Sequence, residues 1–323
     1  MVSPTSIADV LVIGDGLIGL STALELGRDV KVCVVGKLSD GIASTAAAGL
    51  LIPALDRLPP ASRTFYADSL ARYPQFIDTL RAFDPALVYL RGVIDRTAAG
   101  DTLRETDGAV DNVRLLGALR KAASASTAIT IVDDLATDVA RDSTGVTVTT
   151  QTGAQLRARR VVLAAGAWSP SIRGLPRSLP IRPLKGQMIA LGAKVLQQAT
   201  MGDDIYLVPR GDETIVGATV EERGFDLTLT TEAAESLRGS AVALCPELAD
   251  AKITRSWAGI RPATPDMLPI LGADPDWSAL IYACGHSKNG VLLTPGTAVA
   301  IAAVCNDKSP PVDISPFSVS RFF

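Results

Sequence analysis

The feature that most constrains this chain lies at its start, where residues 9–28 read DVLVIGDGLIGLSTALELGR. Val10 to Ile13 is an unbroken apolar run, the pattern of a parallel strand covered on both faces. Gly14, Gly16 and Gly19 follow at G-x-G-x-x-G spacing, and Leu20, Ala23, Leu24 and Leu26 then recur with helical periodicity. A second apolar run, Val30 to Val35, arrives at the distance of a short βαβ unit. The three glycines do different things. Gly14 permits a tight turn, Gly16 lets a pyrophosphate approach the backbone, and Gly19 allows helix to pack closely on strand. Leu17 and Ile18 open the helix, whose unpaired N–H groups and dipole face the phosphates. The spacing therefore predicts an α/β fold that begins with a Rossmann-like dinucleotide domain.

Such a fold places an Asp or Glu at the end of its second strand, where it accepts hydrogen bonds from the adenosine ribose. Here the sequence is CVVGKLSD, so Gly36 takes that place and Lys37 follows. Gly36 is read either as a simple turn or as the loss of the ribose acid. Lys37 suits a 2′-phosphate and keeps NADP open as a ligand, while Asp40 reaches the ribose by another loop path. These alternatives stay open.

At 323 residues the chain is long for one core, and two domains are expected. The net charge is −3, with no basic tail, no Lys/Arg run and no basic stripe interleaved with aromatics, which argues against nucleic acid. Cys33, Cys245, Cys284 and Cys305 are far apart and form no C-x-x-C pair. They give neither a zinc site nor a disulfide framework and fit a reducing cytoplasm. The opening MVSPTSIADV has no basic segment before an apolar one, so no signal peptide is expected. Apolar stretches are broken by Gly, Pro or charge before the roughly 18 to 20 residues that a membrane span needs. The single histidine, His286, excludes a His-rich metal site and would have to supply any Ser-His-Asp triad. The chemistry then falls to carboxylates, arginines, tyrosines or a cofactor.

Past the second apolar run stands GIASTAAAGLLIP, residues 41–53. Its small side chains let the backbone lie against something flat and large; a small-residue helix beneath the sheet is the alternative. Further on come VVLAAGAWS (161–169), RPLKGQ (182–187), IYLVPRGDETIVGATVEERG (205–224), WAGIRPATPDMLPILG (257–272) and GHSKNGVLLTPGT (285–297). In their order and spacing, from about residue 9 to the closing PFSVSRF, these segments resemble the glycine oxidase and D-amino acid oxidase family of FAD-dependent oxidoreductases, nearest to its glycine oxidases of thiamine biosynthesis. The resemblance implies FAD, bound non-covalently, since neither Cys284 nor His286 is a convincing covalent anchor. It implies that Ser44, Thr45, Ala47, Ala48, Gly49 and Leu51 run beside the isoalloxazine. Ala136 brings a backbone group to the adenine, Ala165, Gly166 and Trp168 bring backbone to the FAD, and His286, Lys288, Asn289, Gly290, Val291 and Leu292 close the site.

The same resemblance assigns the substrate groups. Arg261, in WAGIRP, matches the arginine that clamps a substrate carboxylate, for which the planar guanidinium fork is suited; an arginine tying two domains together is the alternative. Tyr206, in IYLVPR, matches the tyrosine that meets the same carboxylate, with core packing as its alternative. Lys288 stands where close relatives have arginine, keeping the charge and losing the fork. A helix beginning near Gly290 would stabilise negative charge on the reduced ring. His286 is read as shaping the flavin loop rather than moving protons, and Lys185 as either near the flavin or on the surface.

The implied domains are discontinuous: 1–53, 111–178 and 256–323 for FAD, and 54–110 and 179–255 for a β-rich substrate domain. Residues 112–124 predict a helix, AITIVDD a strand, 137–160 a small antiparallel meander and 231–244 a helix. The expected activity is oxidation of a small amino acid or amine (glycine, sarcosine or a small D-amino acid) to an imine, with O₂ reduced to H₂O₂. A dehydrogenase passing electrons to another acceptor, or a flavin-binding protein without turnover, are the competing expectations. A homo-oligomer is left open.

Overall fold

The computed structural model of the chain describes residues 8–142 and 145–323; the opening seven residues, on which most of the argument against a signal peptide rests, lie outside the described part. The expected strand–turn–helix–strand unit heads it. Ala8–Ile13 forms β1, Leu17–Leu26 forms α1, and Val32–Gly36 forms β2 parallel to β1, with Val12 opposite Val34. Val10 to Ile13 are buried, because both faces of the strand are covered, and this is why their pattern does not alternate. Ile129–Asp133 (β6) lies beyond β2, and Gln155–Leu163 (β9), Trp277–Cys284 (β16) and Ile270–Asp274 (β15) lie on the other side. The order is β15-β16-β9-β1-β2-β6, parallel except for β15. Ala136–Asp142 (β7) and Gly145–Thr150 (β8) fold onto β9 as the expected antiparallel meander.

The second sheet runs in the order β14-β10-β13-β12-β11-β4-β5-β3. Its strands are Leu50–Leu51 (β3), Tyr89–Thr97 (β4), Gly100–Val110 (β5), Arg182–Leu191 (β10), Ala199–Met201 (β11), Tyr206–Arg210 (β12), Glu213–Gly217 (β13) and Ile253–Ala263 (β14). The strand membership differs from the division expected from sequence at both ends. β3 lies before residue 53 yet pairs with β5, and β14 runs on past residue 256 because its antiparallel register with β10 holds as far as Arg182 opposite Ala263. Pairing over many residues, which no local pattern reveals, sets that division.

Helices cover one face of each sheet. Asn112–Ala125 (α5) and Thr294–Cys305 (α7) flank α1 on the first sheet. Pro60–Ala71 (α3) packs on α7 and leads into Tyr73–Leu80 (α4). Phe65, Tyr66, Leu70 and Tyr73 join the core of the first sheet, although the sequence division assigns their segment to the substrate domain. Thr231–Leu244 (α6) lies on the second sheet as its pattern predicts, with Leu237 and Ala241 against Ile189, Leu207 and Val216. The opposite face of that sheet carries Met188, Val208 and Ile215, flanked by Tyr206 and Trp257, and it packs against Ala48 of the 41–49 loop.

Candidate active site

The phosphate end of the site is built from backbone. Gly14 has φ +112°, and a Cβ there would lie 2.3 Å from the Ala164 carbonyl oxygen; a Cβ on Gly19 would lie 1.8 Å from the carbonyl oxygen of Gly14. Both positions are therefore closed to any side chain, because β1, β9 and α1 converge there. The Leu17 amide donates to Ser44 Oγ at 3.1 Å, whereas the amides of Gly16, Ile18 and Gly19 find no partner among the described residues. These free donors at a helix start are the chemistry a pyrophosphate requires. β2 ends at Gly36 with no carboxylate of its own, and Lys37 and Asp40 beyond it are exposed.

Residues 41–49 run along the seam between the sheets as a short helix, Ala43–Ala46 (α2), and an extended exit. Their path is fixed by side chains that sequence reasoning missed. Asn112, buried at the start of α5, donates to the carbonyls of Ser44 and Thr45 at 2.8 and 3.1 Å. Arg210 donates to the Ala48 carbonyl at 2.7 Å and to Asn112 Oδ1 at 2.9 Å, and Trp257 Nε1 to the Ala46 carbonyl at 2.9 Å. From the other side, the Ile260 amide donates to the Gly41 carbonyl at 2.8 Å. No local signal marks these groups, since each acts on a segment remote in sequence. Residues 43–46 form a short small-residue helix, and these hydrogen bonds hold the backbone of 41–49 along the seam. The Leu51 side chain turns away into the core of the first sheet.

Arg261 and Tyr206 are brought together. Arg261 Nη1 donates to the carbonyls of Thr219 and Lys185, at 3.1 and 3.3 Å, which fixes the guanidinium. The Tyr206 hydroxyl is raised above its usual pKa by burial, opposed by the charge of Arg261 and a hydrogen bond with it. A neutral phenol beside a held guanidinium is a pair that can receive a carboxylate. Lys185 lies neither on the surface nor free: at 2% exposure, its ammonium reaches the Thr228 carbonyl and Glu221, 3.4 Å away. It braces the 219–230 segment that supplies the Thr219 carbonyl.

The closing loop passes beside the end of β14, with the Ser287 amide donating to the Pro262 carbonyl at 3.0 Å. His286 is 3% exposed, and its Nε2 lies 3.1 Å from Thr297 Oγ1; burial pushes its pKa down to about 3. Burial thus favours the neutral imidazole, whose Nε2 ties the loop to Thr297 of the following helix. The helix expected near Gly290 begins later, at Thr294, because residues 290–293 form turns that hand over to α7. The amides of Gly290, Val291 and Leu292 have no partner among the described residues, while their carbonyls are claimed: Tyr73 donates to Val291, Ser69 to Leu292 at 2.8 Å and Thr294 Oγ1 to Gly290 at 2.8 Å. Asn289 is tied to the Tyr66 hydroxyl at 3.4 Å. The Lys288 side chain is exposed and has no hydrogen bond or ion pair among the described residues. Ala165 and Gly166 enter a 3₁₀ turn after β9, and Trp168 on it stacks on Phe225 with ring centroids 5.2 Å apart. Ala136 starts β7, opposite Thr150, three residues after Asp133, which pairs with Gly36.

A model of the DAO family, described as FAD dependent oxidoreductase, matches residues 9–95 and 80–304. The chain belongs to this family. It is 31% identical to the glycine oxidase of Pseudomonas putida over 96% of this chain and 97% of that one. It is 33% identical to the bifunctional protein ThiO/ThiG of Synechocystis over 98% of this chain, and spans about half the length, 54%, of that relative. The crystal structure of glycine oxidase from Geobacillus kaustophilus superposes with a TM-score of 0.90, at 28% identity, over 98% of this chain and 99% of that one. FAD is the cofactor of the family, and the residues present fit it: free amides at the start of α1, a seam loop of small residues, and free amides at 290–292. The fold expectation of a Rossmann-like part with a second sheet holds throughout. No helix among the described residues is long and apolar enough to cross a membrane.

Proposed function

We propose that this FAD-dependent oxidoreductase oxidises the carbon–nitrogen bond of a small amino acid or amine, of the glycine, sarcosine or small D-amino acid class, to the imine, with O₂ taking the electrons to give H₂O₂. The first sheet with its helices holds FAD and the second holds the substrate. The observation that carries this is the Arg261–Tyr206 pair on the second sheet, with the Arg261 guanidinium held on the Thr219 carbonyl. Bound there, FAD supplies the acceptor for two electrons and hydrogen from the substrate. Arg261 keeps one amino group on the Thr219 and Lys185 carbonyls and offers the rest of its fork to a carboxylate. Tyr206 adds a second donor, and Lys288 adds charge at the rim. The free amides of Gly290, Val291 and Leu292 are placed to stabilise negative charge on the ring. Burial makes His286 a weak base, and an amine that arrives deprotonated needs no base in the site to give up its hydride. The purified protein should show a flavin absorption spectrum, and anaerobic glycine or D-alanine should bleach it. A spectrum that no amino acid or amine of this class bleaches would refute the substrate assignment, and a colourless protein that binds no FAD would refute the whole reading.

A further inference from the structure

We infer that Asp15, in the turn between β1 and α1, supplies the carboxylate for the adenosine ribose that the end of β2 lacks; this rests on the FAD-binding role proposed above. A Cβ on Gly36 would stand 2.6 Å from both the amide nitrogen and Oδ1 of Asp15, and 2.7 Å from its Cβ. The Asp15 side chain thus fills the place where a side chain at position 36 would start, and its presence restricts position 36 to glycine. Asp15 is 5% exposed, and Oδ2 accepts from the Arg120 guanidinium of α5. That contact fixes the carboxylate and turns Oδ1 toward the end of β2. Oδ1 has no hydrogen-bond partner among the described residues and is not sealed in. An ionised carboxylate accepts on both oxygens, so the bond to Arg120 leaves capacity for a hydroxyl. Dinucleotide folds put an acid at this point because the ribose hydroxyls arrive there. In this chain the acid has moved from the strand end to the glycine turn, and the strand end has lost its side chain to make room. The sequence alone shows only half of this exchange, the glycine at 36.

The test reads flavin release from diluted holoprotein by fluorescence, independently of turnover. It uses FAD and an FAD analogue with a 2′-deoxy adenosine ribose, exchanged into the holoprotein. Asp15→Asn should weaken FAD roughly 10- to 100-fold, the range of a hydrogen bond to a charged group, and should weaken the deoxy analogue much less. Gly36→Glu alone should also lose FAD, because the new side chain meets Asp15. Asp15→Gly combined with Gly36→Glu should return FAD binding to within a few-fold of wild type, well above Asp15→Gly alone. This double variant keeps the inference testable even where Asp15→Asn folds poorly. Equal losses on both flavins, or a double variant no better than Asp15→Gly, would overturn the role of Asp15 and leave FAD binding by the wild type intact. A wild type that binds neither flavin would overturn the FAD-binding role itself, and this inference with it.

Discussion

The two sheets build their shares of the site by different means. Around β1 and α1 the groups proposed to meet the cofactor are backbone amides, and the residues that free them, Gly14, Gly16 and Gly19, lie within one turn of chain. On the second sheet the groups proposed to meet the substrate are side chains, Tyr206 from β12 and Arg261 from β14, joined only because β10 and β13 stand between those strands. An amide-built site depends on close approach, and close approach leaves glycines at fixed spacing in the sequence. A side-chain site depends on pairing between remote strands, and each of its members looks ordinary where it stands. The first kind should therefore fail through packing and cofactor loss, and the second through loss of substrate affinity with the fold intact.

The largest effect is expected at Arg261. Removing one partner of a buried charge pair costs on the order of 2–5 kcal/mol, so Arg261→Ala should lower kcat/KM for an amino acid by roughly 30-fold to several thousand-fold. Arg261→Lys should fall between, while the flavin spectrum stays normal. An amine without a carboxylate should be nearly indifferent. Steady-state kinetics on an amino acid and its decarboxylated analogue decide the matter; equal losses on both would show a structural brace instead of a clamp.

Next comes Gly19→Ala, whose methyl would lie 1.8 Å from the Gly14 carbonyl oxygen. Overpacking of this kind costs about 1–3 kcal/mol, and it should displace the turn that presents the free amides. Thermal unfolding should show the loss, and FAD should wash out on dialysis. A variant that keeps both its melting temperature and its FAD would mean that the turn has room to give.

His286 sits at the seam and separates stability from chemistry. Its pKa falls from 6.5 to about 3 through burial, so between those values the unfolded chain binds the extra proton and the folded chain does not. Stability owed to this group is fully present above pH 6.5 and falls as the pH drops, by about 2 kcal/mol between pH 6.5 and 5. His286→Gln should flatten that acid limb in unfolding experiments. If the slope between pH 6.5 and 5 is unchanged in the variant, the ring is not held neutral.

The smallest effect belongs to Lys288, exposed and without a protein partner among the described residues. As a charge at the rim it should contribute below about 1 kcal/mol, so Lys288→Ala should raise KM for an amino acid no more than about fivefold, less at high salt. A loss in kcat comparable to that of Arg261→Ala would place it in the clamp itself.

Local signals make much of the molecule legible. The continuous apolar run of Val10 to Ile13 marks a strand covered on both faces, and the periodicity of 112–124 and 231–244 marks α5 and α6 because one side of each helix is buried. α7 starts later than its pattern suggests, since the turns at 290–293 share hydrogen bonds with helices but not their regular form. Arg261 and Tyr206 are found by a likeness of motifs, and no property of their own segments shows that they meet.

By itself, the sequence determined the strand–turn–helix unit, the class of cofactor site and the absence of proton-transfer histidines beyond His286, because each depends on neighbouring residues or on composition. Only the tertiary structure decided that β3 and β14 join the second sheet, that Asn112, Arg210 and Trp257 pin the seam loop, that Lys185 is a buried brace, and that Asp15 occupies the place left by Gly36. The physical reason is the same in each case: a hydrogen bond or a steric exclusion between residues far apart in the chain leaves no periodic trace in either segment, and it exists only once the backbone has brought the two together.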